Sequence, residues 1–277
     1  MIFFRMSLVV LLVGAVSAQT DSSREALFAA IHRGAVDDVA HLLESGVNPN
    51  IVGADGTAAL MAATLFANAR MVELLLQHSA DPNRAGVSGT TALMWAIPDL
   101  EKVRLLLARG ANVNARSETG RTALLVAASY PGTVEVLRLL LDRGGDIHAQ
   151  DQGGATALAL AVRSADVEVV RYLVERGLDP DTLSPAARRV GFARYDLPTT
   201  EYLISKGLKP APDLLITAAA WQPETLVARW MESGADVNAS NAAQLSRTHP
   251  STRFSTANSA SVRRVRAPMR TAGGTAP

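Results

Sequence analysis

Apolar residues along this chain come in paired short blocks. The first block of each pair is built from Ala and Leu. A break follows, then a second block centred on two or three consecutive aliphatic residues, then a glycine and a polar run. The clearest copy spans Gly120 to Ala149. It opens on Gly120-Arg121-Thr122 and continues through Ala123-Leu124-Leu125-Val126-Ala127-Ala128. It breaks at Pro131-Gly132, resumes from Val134 to Leu141, and closes on Arg143-Gly144-Gly145 and Asp146-Ile147-His148. Blocks of this length predict two short helices joined by a tight turn. Neither helix can hide its apolar face alone, so the unit needs neighbours.

The neighbours are visible. Leu124 of the first block recurs as Leu60, Leu93 and Leu158; the steps from Leu60 to Leu158 are 33, 31 and 34 residues. The second block recurs as Leu74-Leu75-Leu76, Leu105-Leu106-Leu107, Leu139-Leu140-Leu141 and Tyr172-Leu173-Val174. Its closing glycine recurs as Gly46, Gly110, Gly144, Gly177, Gly207 and Gly234, with Ser79 standing in for it once. Three markers sharing one period argue for an array of copies, not for a coincidence of composition.

These motifs resemble the ankyrin repeat family. The opening Gly-x-Thr-Ala-Leu is similar to the family's own, with alanine where proline is usual. The closing Gly110-Ala111-Asn112-Val113-Asn114-Ala115 follows the family consensus almost letter for letter. The resemblance covers about 26 to 239, within an expected repeat domain over 19–239. It implies an all-α ankyrin-repeat solenoid of stacked helix-turn-helix units with hairpin-like finger loops. It also implies a concave face, lined by finger tips and first helices, where protein partners bind.

Taken in order, the first repeat runs from Glu25 to Asn50. Its helices are expected near Ala26 to His32 and Val36 to Leu43, joined at Gly34, with Asp21-Ser22-Ser23 able to cap the first. The second, third and fifth repeats open at Asp55-Gly56-Thr57, Ser88-Gly89-Thr90 and Gln152-Gly153-Gly154. Pro98 should cut short the first helix of the third repeat, because proline lacks a donor and clashes with the preceding turn. Thr91, Thr122 and Thr156 should cap their helices; Ala58 cannot. From 182 to 239 the pattern degrades into two poor repeats. The first helix carries Arg188, Arg189 and Arg194, and a second helix is expected at Thr199 to Ser205.

The ends differ from the middle. Arg5, the apolar run Leu8 to Val13 and the small residues Val16-Ser17-Ala18 read as an export signal over 1–18, cut after Ala18. The run is too short for a comfortable membrane span, so a periplasmic or secreted location and no stable span are expected. After Ala239 the periodicity stops. Residues 240–277 hold six arginines and no acidic residue, a composition that predicts disorder. The abrupt change also suggests a foreign or frame-shifted terminus, in which case the chain would be the regulatory or scaffold part of a larger exported electron-transfer or enzymatic protein. Without Arg5 and the tail, the body carries 20 basic against 26 acidic residues.

Chemistry is scarce. The absence of cysteine excludes disulfides, thiolate metal sites, a cysteine nucleophile and covalent haem attachment. The histidines His32, His41, His78, His148 and His249 have no ligand spacing, and His148 takes an asparagine's place in a turn. Gly153-Gly154 lacks the lysine of a phosphate loop, and no nucleophile elbow occurs. No catalytic residue, metal or cofactor is expected, and no nucleic-acid partner. The expected function is a monomeric protein-binding module. Exposed aromatics with arginine are the residue types that anchor interfaces. Candidate contacts are therefore Leu65, Phe66, Trp95, Arg116, Glu118, Tyr130, Gln150 and Asp151, with Phe66, Trp95, Arg116 and Tyr130 expected in one patch.

Overall fold

The computed structural model describes residues 21–184, 187 and 197–208. Every described residue falls in one unit of the chain, which ends at Leu208. The expected export signal, most of the degenerate stretch beyond 184 and the basic tail lie outside the described residues.

Among the described residues the elements alternate between first and second helices. α1 covers 21–33 and α2 Val36–Glu44. Then come α3 (Ala59–Phe66) and α4 (Ala69–Gln77), α5 (Ala92–Trp95) and α6 (Leu100–Ala108), α7 (Ala123–Ala128) and α8 (Val134–Asp142), and α9 (Ala157–Ser164) and α10 (Val167–Glu175). A 3-10 turn over Pro180–Thr182 precedes α11 (Leu197–Ser205). Helices α3, α5, α7 and α9 pack in one row. Helices α2, α4, α6, α8, α10 and α11 pack in another. The marker leucines Leu60, Leu93, Leu124 and Leu158 are at most 3% exposed, and Leu75, Leu106, Leu140 and Leu173 are fully buried between repeats.

The helix ends show why these residues form these elements. Asn68, Asp99 and Asp166 accept amide hydrogens at the starts of α4, α6 and α10. Thr122 and Thr156 accept from Leu125 and Ala159 at the starts of α7 and α9. Thr91 does not follow them. Pro98 limits α5 to four residues, and the Met94 amide bonds the Thr91 carbonyl instead, leaving the Thr91 hydroxyl buried without a partner. Residues Asp21 to Ser23 are also not the cap they were expected to be. They already lie inside α1, where Asp21 pairs with Arg24 at 2.9 Å. Second helices close on left-handed residues, Ser79 at φ 67° among the glycines.

Between repeats the chain repeats two devices. Each finger closes over five residues, with the first amide donating to the last carbonyl: Gly53 to Thr57, Gly86 to Thr90, Ser117 to Arg121 and Asp151 to Ala155. At the base of the second helices an asparagine reaches the next copy with both amide atoms. Asn50 donates to the Ser79 carbonyl and accepts the Asp81 amide. Asn83 does the same to Gly110 and Asn112, and Asn114 to Gly144 and Asp146.

His148 occupies the next rung. Its ring makes no such bond to Gly177 or Asp179 among the described residues; only its amide is held, by Asp146. The His148 side chain thus leaves the rung unmade, because an imidazole cannot donate and accept from one planar end as a carboxamide does. His148→Asn is expected to extend the ladder and raise stability by about 1 kcal/mol. A urea midpoint left unchanged would show that this rung adds nothing.

Candidate protein-binding surface

The candidate residues fall into two groups at opposite ends of the first helices. Leu65, Phe66, Trp95 and Tyr130 sit at or just beyond the C-terminal ends of α3, α5 and α7. Arg116, Glu118, Gln150 and Asp151 sit in the fingers that precede α7 and α9. At 1.5 Å rise per residue, a first helix of six to eight residues sets the groups about 9–12 Å apart along the axis. Arg116 thus precedes α7, whereas Tyr130 follows it.

The helix-end group is open to solvent. Leu65 is 48% exposed, Phe66 54%, Trp95 36% and Tyr130 47%. None is buried between repeats. α3 ends on the exposed Leu65 and Phe66, α5 ends at Trp95, and Tyr130 follows the last residue of α7 by two positions. The Phe66 ring rests at 4.6 Å, tilted by 42°, on the ring of His32 in the preceding repeat. The His32 Nδ1 lies 2.7 Å from the Phe28 carbonyl, which holds that ring in place. The Tyr130 backbone is also anchored: its amide donates to Ala127 and its carbonyl accepts the Thr133 hydroxyl. The Gly132 amide beside it donates to Asp166 of the following repeat at 2.6 Å. Rigid backbone under exposed apolar side chains suits an interface, because little ordering remains to be done on binding.

The finger group is mostly occupied with the fold. The Arg116 guanidinium donates to the carbonyls of Gly120 (3.2 Å) and Gln150 (2.8 Å), joining one finger to the next. Asp151 accepts the amides of Gly153 and Ala155 inside its own turn, and its other oxygen is 4.0 Å from Arg121. Glu118 offers its amide to Ser88 and its carbonyl to the Gln152 side chain, while its carboxylate forms no hydrogen bond or ion pair among the described residues. Gln150 forms a bridge with Thr156. The Asp55 carboxyl, in an earlier finger, is held below its ordinary range by the amide of Thr57 and then by its hydroxyl. Val87, 71% exposed at a finger tip, adds one more apolar side chain on this side.

A family model described as ankyrin repeats matches the chain in three copies, over residues 6–85, 26–117 and 98–184. This chain belongs to the ankyrin repeat family. No curated protein matches it. Ankyrin repeats are generally protein–protein interaction modules and typically non-catalytic. Among the described residues of this ankyrin array, no three His, Cys, Asp or Glu side chains gather where a metal ion could be held. None of its described helices is long and apolar enough to cross a membrane.

One buried residue of this ankyrin array is not marked by the sequence. Lys102, only 9% exposed, stands in α6 where the neighbouring repeats place Met71, Val136 and Val169. Lysine normally signals solvent, and only its alignment with that apolar column could have marked it.

Proposed function

We propose that this ankyrin array is a protein-recognition module working outside the cytoplasm, and that its partner seats on the edge formed by Leu65, Phe66, Trp95 and Tyr130. One observation carries the reading: at or just beyond the ends of three consecutive first helices stand large side chains left about a third to a half exposed. Scattered apolar residues are ordinary on a surface; aligned ones on anchored backbone fit a contact patch. The N-terminal apolar run and small-residue site support export. In this reading Arg116 and Asp151 build the fingers, and Glu118 with its uncommitted carboxylate is the finger group's most accessible contact.

The test is affinity capture from the native cell envelope with mass spectrometry. It compares the wild type with a variant carrying alanine at Leu65, Phe66, Trp95 and Tyr130. Because these side chains are exposed, the variant should keep its fold and lose its specific partners at least tenfold, about 1.4 kcal/mol. Equal recovery of the same partners by both would remove the patch. Recovery of wild-type protein only from the cytosolic fraction would remove the export.

A further inference from the structure

We propose that Lys102 is the positioning residue of the recognition edge, holding the end of α3 so that Leu65 and Phe66 are presented as they are. The inference rests on the edge described above being the binding site.

The pair at this place in each repeat interface is otherwise apolar. Ile31 lies in register with Met71, Ile97 with Val136, and Ala128 with Val169, and all six are buried. Between the second and third repeats the pair is Thr64 and Lys102. The Lys102 ammonium donates to the Thr64 carbonyl at 2.9 Å, across 38 residues of sequence, and lies 3.7 Å from an Asp99 carboxylate oxygen. The Thr64 hydroxyl turns back to the Met61 carbonyl at 2.7 Å and does not compete.

The physical need is specific. Carbonyls in the last turn of a helix have no following helical amide to accept from. A cation is favourable at that end. α3 has no basic residue in its own last turn, so the cation comes from the next repeat. Thr64 directly precedes Leu65 and Phe66. A bond at Thr64 thus fixes the final turn of α3 and, through it, the Phe66 ring against His32. If stability alone were served, an apolar pair would suffice, as it does at the neighbouring interfaces; replacing a buried charge by a fitting apolar residue is often neutral or stabilising.

The experiment uses the full chain with Lys102→Met, and with Thr64→Ile added to Lys102→Met so that the interface copies the Ile31 and Met71 pair. Amide hydrogen exchange and the ring-proton shifts of His32 are measured beside the urea midpoint. The expected result is a retained midpoint with exchange at Leu65, Phe66 and Ala67 faster by about tenfold, and His32 signals moved toward those of a Phe66→Ala chain. Unchanged exchange and unchanged His32 signals would overturn the proposal. So would a uniform rise in exchange across all repeats, which would make Lys102 a general core residue. Neither readout needs a partner, so the alanine capture test and this one can fail independently.

Discussion

Leu124→Ala is expected to lower the unfolding free energy by about 3 kcal/mol, within the range of about 2–5 kcal/mol for emptying a buried leucine site. Leu124 is 1% exposed and sits in α7 between α5 and α9, with Leu125, Ala127 and Ala128 around it also buried. The backbone of two neighbouring repeats holds that space open, so the cavity cannot collapse. In a linear array each repeat contacts only its neighbours, and a lesion in the middle also weakens the coupling between the two sides. Urea unfolding followed by circular dichroism should show the lower midpoint together with a shallower transition. Leu65→Ala is the control. That side chain is about half exposed, and its loss should change stability by no more than about 0.5 kcal/mol. Similar losses for the two leucines would contradict the assignment of core and surface.

Gly120→Ala is expected to cost about 2–3 kcal/mol. Gly120 has φ 77°, where an ordinary residue loses roughly 1–2 kcal/mol. A Cβ there would also stand 2.9 Å from the Gln152 amide nitrogen. That nitrogen is the donor to Thr119 that joins one finger to the next. The obstacle is backbone, so it cannot rotate away. Gly154 separates the two effects, since it has the same finger position and φ 74° with nothing within 4 Å of an added Cβ. Gly154→Ala should show the conformational cost alone, about 1 kcal/mol. Equal losses at both positions would mean that the fingers do not depend on each other.

The candidate surface was only partly legible in the chain. Phe66, Trp95 and Tyr130 stand out in the sequence as aromatics near the ends of first helices, with Leu65 beside Phe66. Arg116 and Asp151 were marked on equally sound residue-type grounds. Yet the Arg116 guanidinium and the Asp151 carboxylate are used up on backbone groups within the fingers. Residue type says what a side chain can bond, not whether a neighbour 34 residues away already takes it. Lys102 shows the converse, a charge that reads as solvated and is buried against a carbonyl of another repeat.

Periodicity alone was enough to establish the repeat, its two helices, the leucine columns and the closing position that Ser79 takes once in place of glycine; that Ser79 is left-handed there came from the structure. These follow from local physics: a helix period, a breaker, and a residue able to take positive φ. Tertiary structure decided what depends on the register between copies. Thr122 caps α7 while Thr91 of the same motif leaves α5 uncapped, the Met94 amide bonding the Thr91 carbonyl. Asn114 spans to the next repeat while His148 leaves its rung empty. The candidate contacts separated into two groups because a helix of fixed rise lies between them. The asparagine ladder joins groups 30 and 32 residues apart in sequence, and no pattern within one copy carries the distance between them.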